Sequence, residues 1–320
     1  MKILTYIQSN EQKINPISLE SLVASQQIKG QKGGEVYAVT FSSHIANQLS
    51  NYELDGIICI EDNNLKDYSP LHYIEAFNQL QSTHNPDLFI FGHTYETRDW
   101  VPRLSARINS AFISDCIGME LDNDIKFTRS LYQNKINVDL KSNSKTTIVS
   151  FQSGAYKVDS LKSGNAEFLS ETVDLNAVEN TIVNGEKFKE TDGEIDLTSA
   201  DIIVSIGRGI GKEENIPMAQ ELAKHVGGQL ASSRPVVDSG WVNHSLQIGS
   251  SGQVVSPKLY FALGISGAIQ HVVGMKGSSC IMVINKDSNA PIFEIADYGI
   301  VGDLLEIIPK LNSALQEISG

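Results

Sequence analysis

The stretch DIIVSIGRGIGKEENIPMAQELAKHVGG, residues 201–228, decides the fold class. Ile202 to Ile206 make an apolar run of strand length that stops at Gly207. Glycines at 207, 209 and 211 then let the backbone turn tightly and approach a neighbour or ligand closely. A helical pattern starts around Glu213 and ends at Gly227-Gly228. Strand, glycine turn and helix in this order form the repeating unit of a parallel sheet covered on both faces.

The same unit recurs on both sides. Toward the C-terminus, KLYFALGI is a strand, SCIMVIN and IFEIA follow as further strands, and a last helix runs from about Gly302 to Glu317. Toward the N-terminus, KILTYI, EVYAVTF, DGIICI and PDLFIFG are strands. They alternate with the helical patterns ISLESLVASQQI, HIANQLSNY, LHYIEAFNQLQ and RDWVPRLSARIN. FISDCIGMEL, IKFTRSLYQNKINVDL and KTTIVSFQ then succeed one another without helices, which predicts antiparallel pairing at the end of the first domain. Periodicity weakens from Lys157 to Ala200, and a boundary is expected near residue 190. The fold expected is α/β in two domains. Residues 1–190 give a Rossmann-like parallel sheet with added antiparallel strands, and residues 191–320 a smaller doubly wound domain.

A chain of 320 residues suits two domains. Its 25 basic against 38 acidic side chains leave a net charge of −13, which argues against nucleic acid and anionic membranes as partners. No apolar run reaches membrane-spanning length and no cleavage pattern follows the first strand, so a cytoplasmic protein is expected. Cys59, Cys116 and Cys280 are scattered in apolar company, which suits buried thiols and no metal site.

Chemistry concentrates in the second domain. Arg208 lies between glycines, where a guanidinium can pair with a phosphate. In LYFALGISGAIQHVVGMKG, residues 259–277, a second strand ends in Gly264, Ser266 and Gly267, with Ser266 expected to cap the helix that follows. Ile269, Val272 and Val273 give that helix an apolar face, with Gln270 and His271 off it. His271 suits either a core histidine bonded to backbone or a ligand contact at a strand's C-terminal end. Arg234 in SSRPVVDSGWV, the hydroxyl-rich turn of Ser250, Ser251 and Gly252, and Asp303 before the last helix complete four polar or glycine loops. Asp303 could serve the helix dipole or a ribose. Together they describe a site for a long phosphorylated ligand such as a dinucleotide. There is no GxGxxG fingerprint, G-x-S-x-G elbow, H-E-x-x-H or Walker A sequence.

LYFALGISGAIQHVVGMKGSSCIMVINKDSNAPIFEIADYGIVGDL resembles the signature region of the electron transfer flavoprotein α subunits, with GRG, SRPVVDSGWV and QIGSSGQVVSPKLY upstream in the family's order. The likeness is close over residues 200–320 and looser over 1–190, where VPRLSARINSAFISD matches best. It implies an electron carrier with no substrate of its own, paired with a β subunit and holding FAD on the second domain. It implies electron traffic from flavin dehydrogenases, such as the acyl-CoA dehydrogenases of fatty acid β-oxidation, to a quinone oxidoreductase.

Carried over by motif, Arg208 would lie near the FAD phosphates or ribityl chain, and Ser233 and Arg234 near the ring. Gln247, Gly249, Ser250, Ser251, Gly264, Ser266, Gly267 and Gln270 would line the ring edge and pyrophosphate. His271 would reach the flavin O2, and Asn285 and Asp303 the adenosine half. Three departures stand out: Ile206 replaces a further glycine, Ser250-Ser251 replaces Gln-Thr, and SFQSGAY replaces an arginine-containing strand. The alternatives are a bifurcating member of the family, whose β subunit holds a second FAD, and an NAD-binding dehydrogenase domain.

Overall fold

The computed structural model describes every residue except 11, 133, 134, 180, 183, 184, 186–196 and 320. The chain divides into two compact units, Met1–Lys187 and Phe188–Gly320. The boundary expected near residue 190 itself lies outside the described residues.

The first unit contains β1 (Lys2–Tyr6), a short hairpin of β2 (Ser9–Asn10) and β3 (Lys13–Ile14), α1 (Pro16–Lys32), β4 (Glu35–Thr40) and α2 (Ser43–Leu49). It continues through β5 (Gly56–Ile60), α3 (Pro70–His84), β6 (Leu88–Gly92), α4 (Tyr95–Arg107) and β7 (Ala111–Glu120). Then come β8 (Lys126–Leu131), β9 (Ile136–Leu140), β10 (Thr147–Phe151) and β11 (Phe168–Glu171). Nine described strands form one sheet in the order β11-β5-β4-β1-β6-β10-β7-β8-β9.

The antiparallel pairing expected is confined to β7, β8 and β9. β10 instead inserts parallel between β6 and β7, and β11 adds parallel to the opposite edge, where weak periodicity had hidden it. Alternate strand residues serve opposite faces. Ile3, Ala38, Ile57 and Ile90 pack with Leu22 and Ile28 of α1 and Leu49 of α2. Leu4, Val39, Ile58 and Phe89 pack with Phe77 of α3 and Trp100 of α4. Helices therefore cover both faces.

The SFQSGAY segment is held from below by Glu20 of α1, whose Oε2 accepts from Gly154 N–H at 2.7 Å. Glu20 is only 4% exposed, and burial pushes its carboxyl up to about 7. That segment thus closes β10 with Ser150 and Phe151 and continues as a loop anchored by the buried carboxyl of Glu20.

The second unit contains β12 (Ile202–Ile206), α5 (Ile216–His225), β13 (Gln229–Ser233), α6 (Arg234–Asp238) and β14 (Gln247–Ile248). β15 (Leu259–Leu263), α7 (Ile269–Val272), β16 (Ile281–Asn285), β17 (Tyr298–Val301) and α8 (Leu304–Ser319) complete it. Its strands are all parallel, in the order β14-β13-β12-β15-β16-β17.

α5 and α8 cover one face through Ala219, Leu222 and Ile308. The other face carries Ile203, Tyr260, Ala262 and Val283, with Val272 of α7 against it. Ile206 is fully buried at the end of β12, so its side chain fills core volume on the α5 face. IFEIA is not a strand: Pro291–Ile295 is a 3-10 turn whose Ile292 plugs the core, and the edge strand lies later, at Tyr298–Val301. A five-residue, mostly apolar run does not itself distinguish the two.

Candidate functional site

β12 and β15 are the central neighbours of the second sheet, and their continuations part in opposite directions. β12 leads through α5 to β13 on one side, and β15 through α7 to β16 on the other. Such a divergence opens a crevice beyond the carboxyl ends of the strands, the usual ligand site of open α/β sheets.

The glycines make the divergence close-packed. Gly207 N–H donates to Leu263 O at 2.8 Å and Gly209 N–H to Gly264 O at 3.0 Å. Gly264 has φ +62°, and a Cβ on it would lie 2.7 Å from Gly209 Cα. Close approach here is thus first of backbone to backbone.

Every residue proposed from sequence lies on this carboxyl edge or on the segments leaving it. Arg208 begins a 3-10 turn after β12 that the buried Ile210 anchors, and its side chain is exposed. Ser233 ends β13, buried. Arg234 follows it, exposed, with Nε 3.3 Å from Asp238 Oδ2. Gln247 is buried and donates through Nε2 to Ser251 Oγ at 3.0 Å. Ser250 N–H donates to Gln270 O at 2.7 Å, which ties the Gly249–Ser251 turn to α7. Ser250, Ser251, Ser266 and Gln270 face outward.

Asn285 is buried at the end of β16, its Nδ2 donating to Ile265 O at 2.9 Å and its Oδ1 accepting from Asp287 N–H at 3.0 Å. Asp303 accepts from Leu305 N–H at 2.9 Å and so caps α8. Asn285 and Asp303 thus hold loops in place, whatever else they contact.

The segment after Gly264 differs from its sequence reading. Gly267, at φ +88°, turns the chain before the helix, so Ala268 and not Ser266 occupies the cap position, without a side-chain bond. α7 spans only four residues, and Ile269 is 50% exposed instead of facing the core.

His271 is buried. Its Nδ1 lies 3.1 Å from Ile248 O, and its Nε2 lies 2.9 Å from the Tyr260 hydroxyl. A carbonyl can only accept, so Nδ1 carries the proton of the neutral ring and Nε2 accepts from Tyr260. Burial lowers the imidazole to about 4, although the Ile248 carbonyl opposes the shift. Donation from this ring to a ligand would require one of these partners to be exchanged.

Sequence reading missed Tyr260, which bonds this histidine, and Ser205, which shares the Tyr260 face of the sheet. The available signal was a lone serine inside the apolar run DIIVSIG.

The donors exposed along this edge suit a long, anionic, ring-bearing ligand. They comprise two guanidiniums, three serine hydroxyls and the Gln270 amide, above a crevice floored by glycine backbone. FAD has that chemistry: a pyrophosphate for the guanidiniums and a polar ring edge for the hydroxyls and amides. Among the described residues no group of three or more His, Cys, Asp or Glu side chains could hold a metal.

Residues 196–276 match the family model described as the electron transfer flavoprotein FAD-binding domain, and residues 3–179 match the electron transfer flavoprotein domain. The chain is 35% identical to electron transfer flavoprotein subunit alpha of Bacillus subtilis (strain 168), over 99% of this chain and 98% of that one. It is 31% identical to the lactate dehydrogenase (NAD(+),ferredoxin) subunit LctC of Acetobacterium woodii, over 98% of this chain and 77% of the relative. It is also 31% identical to the acryloyl-CoA reductase electron transfer subunit beta of Anaerotignum propionicum, over 98% and 95% respectively.

Proposed function

The chain belongs to the electron transfer flavoprotein α subunits, a family of electron carriers, and on that premise we propose that its FAD passes single electrons from flavin dehydrogenases to a quinone oxidoreductase. Residues 196–276 of its second unit match the FAD-binding domain of that family, and α subunits of the family pair with a β subunit. The observation that supports the reading best is the convergence of Arg208, Arg234, Ser250, Ser251, Ser266 and Gln270 on one carboxyl edge at a divergence of strand connections.

FAD, when bound, supplies the one-electron chemistry. The chain's own groups bind and orient it. Arg208 pairs with the phosphates, and Arg234 lies by the ring, where its positive charge favours added negative charge. The Ser250–Ser251 hydroxyls and Gln270 hydrogen-bond the ring edge. Ser233, Gln247 and Asn285, buried behind them, hold the loops in register. In this reading the chain has no substrate of its own, and the adenosine half lies toward Asn285 and Asp303.

A second reading is suggested by the printed names of two relatives, a subunit of an NAD- and ferredoxin-linked lactate dehydrogenase and one of an acryloyl-CoA reductase. In it the chain is the α subunit of a bifurcating complex. Stopped-flow mixing of the co-expressed heterodimer with a reduced acyl-CoA dehydrogenase, and separately with NADH, distinguishes the two. Rapid reduction by the dehydrogenase and none by NADH supports the carrier. Reduction by NADH with ferredoxin as the second acceptor supports the alternative, and neither reaction overturns both.

A further inference from the structure

The Tyr260–His271 pair has a third member on the adjoining strand. Ile203 of β12 is the register partner of Tyr260 on β15, so Ser205, two residues on, shares its face of the sheet. Ser205 is fully buried, and its Oγ has no hydrogen-bond partner within 3.5 Å. It stands diagonal to Tyr260 on that shared face, a position within reach of an aromatic side chain on the neighbouring strand. A buried hydroxyl without a partner costs free energy and calls for an explanation.

In the arrangement observed, Tyr260 spends its one proton on His271 Nε2, and Ser205 is the group left over. Both hydroxyls can also donate or accept. If His271 takes a proton from solvent on Nε2, the new N–H donates to Tyr260 Oη. The Tyr260 proton then rotates away and donates to Ser205 Oγ, while Nδ1–H stays on Ile248 O. No bond to hydrogen breaks in either hydroxyl, and both imidazole N–H groups and the Tyr260 O–H have acceptors in the charged form.

We propose that Tyr260 and Ser205 are positioning residues for His271, a hydrogen-bond chain of reversible direction that keeps the imidazole in one place in both its neutral and its charged form. This deepens the FAD reading and rests on it for its consequence. With the ring held beside the Gly249–Ser251 turn, its charge state is felt by a flavin on that edge without direct donation to it. Among the described residues no charged side chain acts on His271, and Tyr260 is the titratable group facing it from β15. Ile248 of β14 presents its carbonyl to Nδ1, and Ser205 of β12 stands on the Tyr260 side of the pair.

Two substitutions separate the roles. Ser205→Ala leaves the neutral arrangement intact and removes the acceptor needed only by the charged one. Tyr260→Phe removes a bond from both forms, and more from the charged form, because charge-assisted bonds are the stronger. Each lowers the affinity of His271 for a proton, by about one pH unit for one bond to a charged group.

The test is a 15N NMR pH titration of His271 in the heterodimer, oxidised and reduced, with the FAD midpoint potential of the same samples. Wild type is expected to show a protonated Nδ1 and a bonded, unprotonated Nε2 when oxidised. Both variants are expected to titrate lower and to hold FAD at a lower potential, and the double variant to fall no further than Tyr260→Phe. An Nε2–H tautomer in wild type overturns the proposal, and so does a Ser205→Ala protein with unchanged titration and potential. Should wild type bind no FAD, the FAD reading fails instead, and the titration of the flavin-free protein still decides the chain of bonds. Ser205→Ala removes only an unpartnered hydroxyl, so that decision does not depend on Tyr260→Phe folding.

Discussion

Gly209 and Gly264 meet at the divergence of the second sheet, Gly209 N–H bonding Gly264 O at 3.0 Å while Gly264 holds φ +62°. The contact joins the two loops that form the floor of the crevice. An alanine at 264 would be strained by that φ, by about 1–3 kcal/mol. Its Cβ would also press into Gly209 Cα at 2.7 Å. Gly264→Ala is therefore expected to lower the unfolding midpoint and the flavin content together. Unchanged urea denaturation and full FAD content would show that the loops tolerate separation.

Arg234 is expected to raise the potential of bound FAD, because a guanidinium beside the ring favours added negative charge. Its side chain is 67% exposed and has Asp238 Oδ2 3.3 Å from Nε, so solvent and that carboxylate both weaken the effect. Arg234→Ala is predicted to lower the potential modestly while retaining FAD, and Asp238→Asn to raise it. Potentials that stay at the wild-type value in both variants would leave Arg234 without an electrostatic role.

Acid and base act oppositely on the two units. His271 is held near 4 in the fold against an ordinary value of 6.5, so the fold favours its neutral form. That contribution is fully present above pH 6.5 and is lost as pH falls toward 4, about 3 kcal/mol in all. Glu20 is raised from 4.5 to about 7, so the fold favours its protonated form. Its contribution is present below pH 4.5 and is lost as pH rises through 7, by a similar amount. Glu20→Gln is predicted to flatten the pH dependence of the first unit's unfolding between 4.5 and 7, readable by chemical denaturation at several pH values. Parallel curves for variant and wild type would mean that Glu20 does not titrate across that window.

Much of this was legible in sequence because strand and helix leave different periods. The strands of the parallel cores, from KILTYI to PDLFIFG and again at DIIVSIG and KLYFALGI, are apolar runs that only a sheet buried on both faces needs. β11 was not legible, since Phe168–Glu171 is an exposed edge whose apolar residues face no core. The 3-10 turn at Pro291 was misread because the short, mostly apolar IFEIA carries no period of its own. Within the site, the glycine loops and arginines announced themselves by composition. The surroundings of His271 did not. Tyr260 lies 11 residues from it and Ser205 66, and Ser205 comes to the Tyr260 face only through strand register, which no local pattern records.

The central claim is that the carboxyl edge of the second sheet carries the flavin, and the flavin content of the co-expressed, purified heterodimer tests it most directly. Absorbance of the protein and of its heat-released cofactor, set against subunit quantitation, gives FAD per chain. The account predicts a yellow protein with one FAD attributable to this chain, reduced in Gly264→Ala and retained in Arg234→Ala. A stable, colourless heterodimer that takes up no FAD when supplied with it would contradict the account.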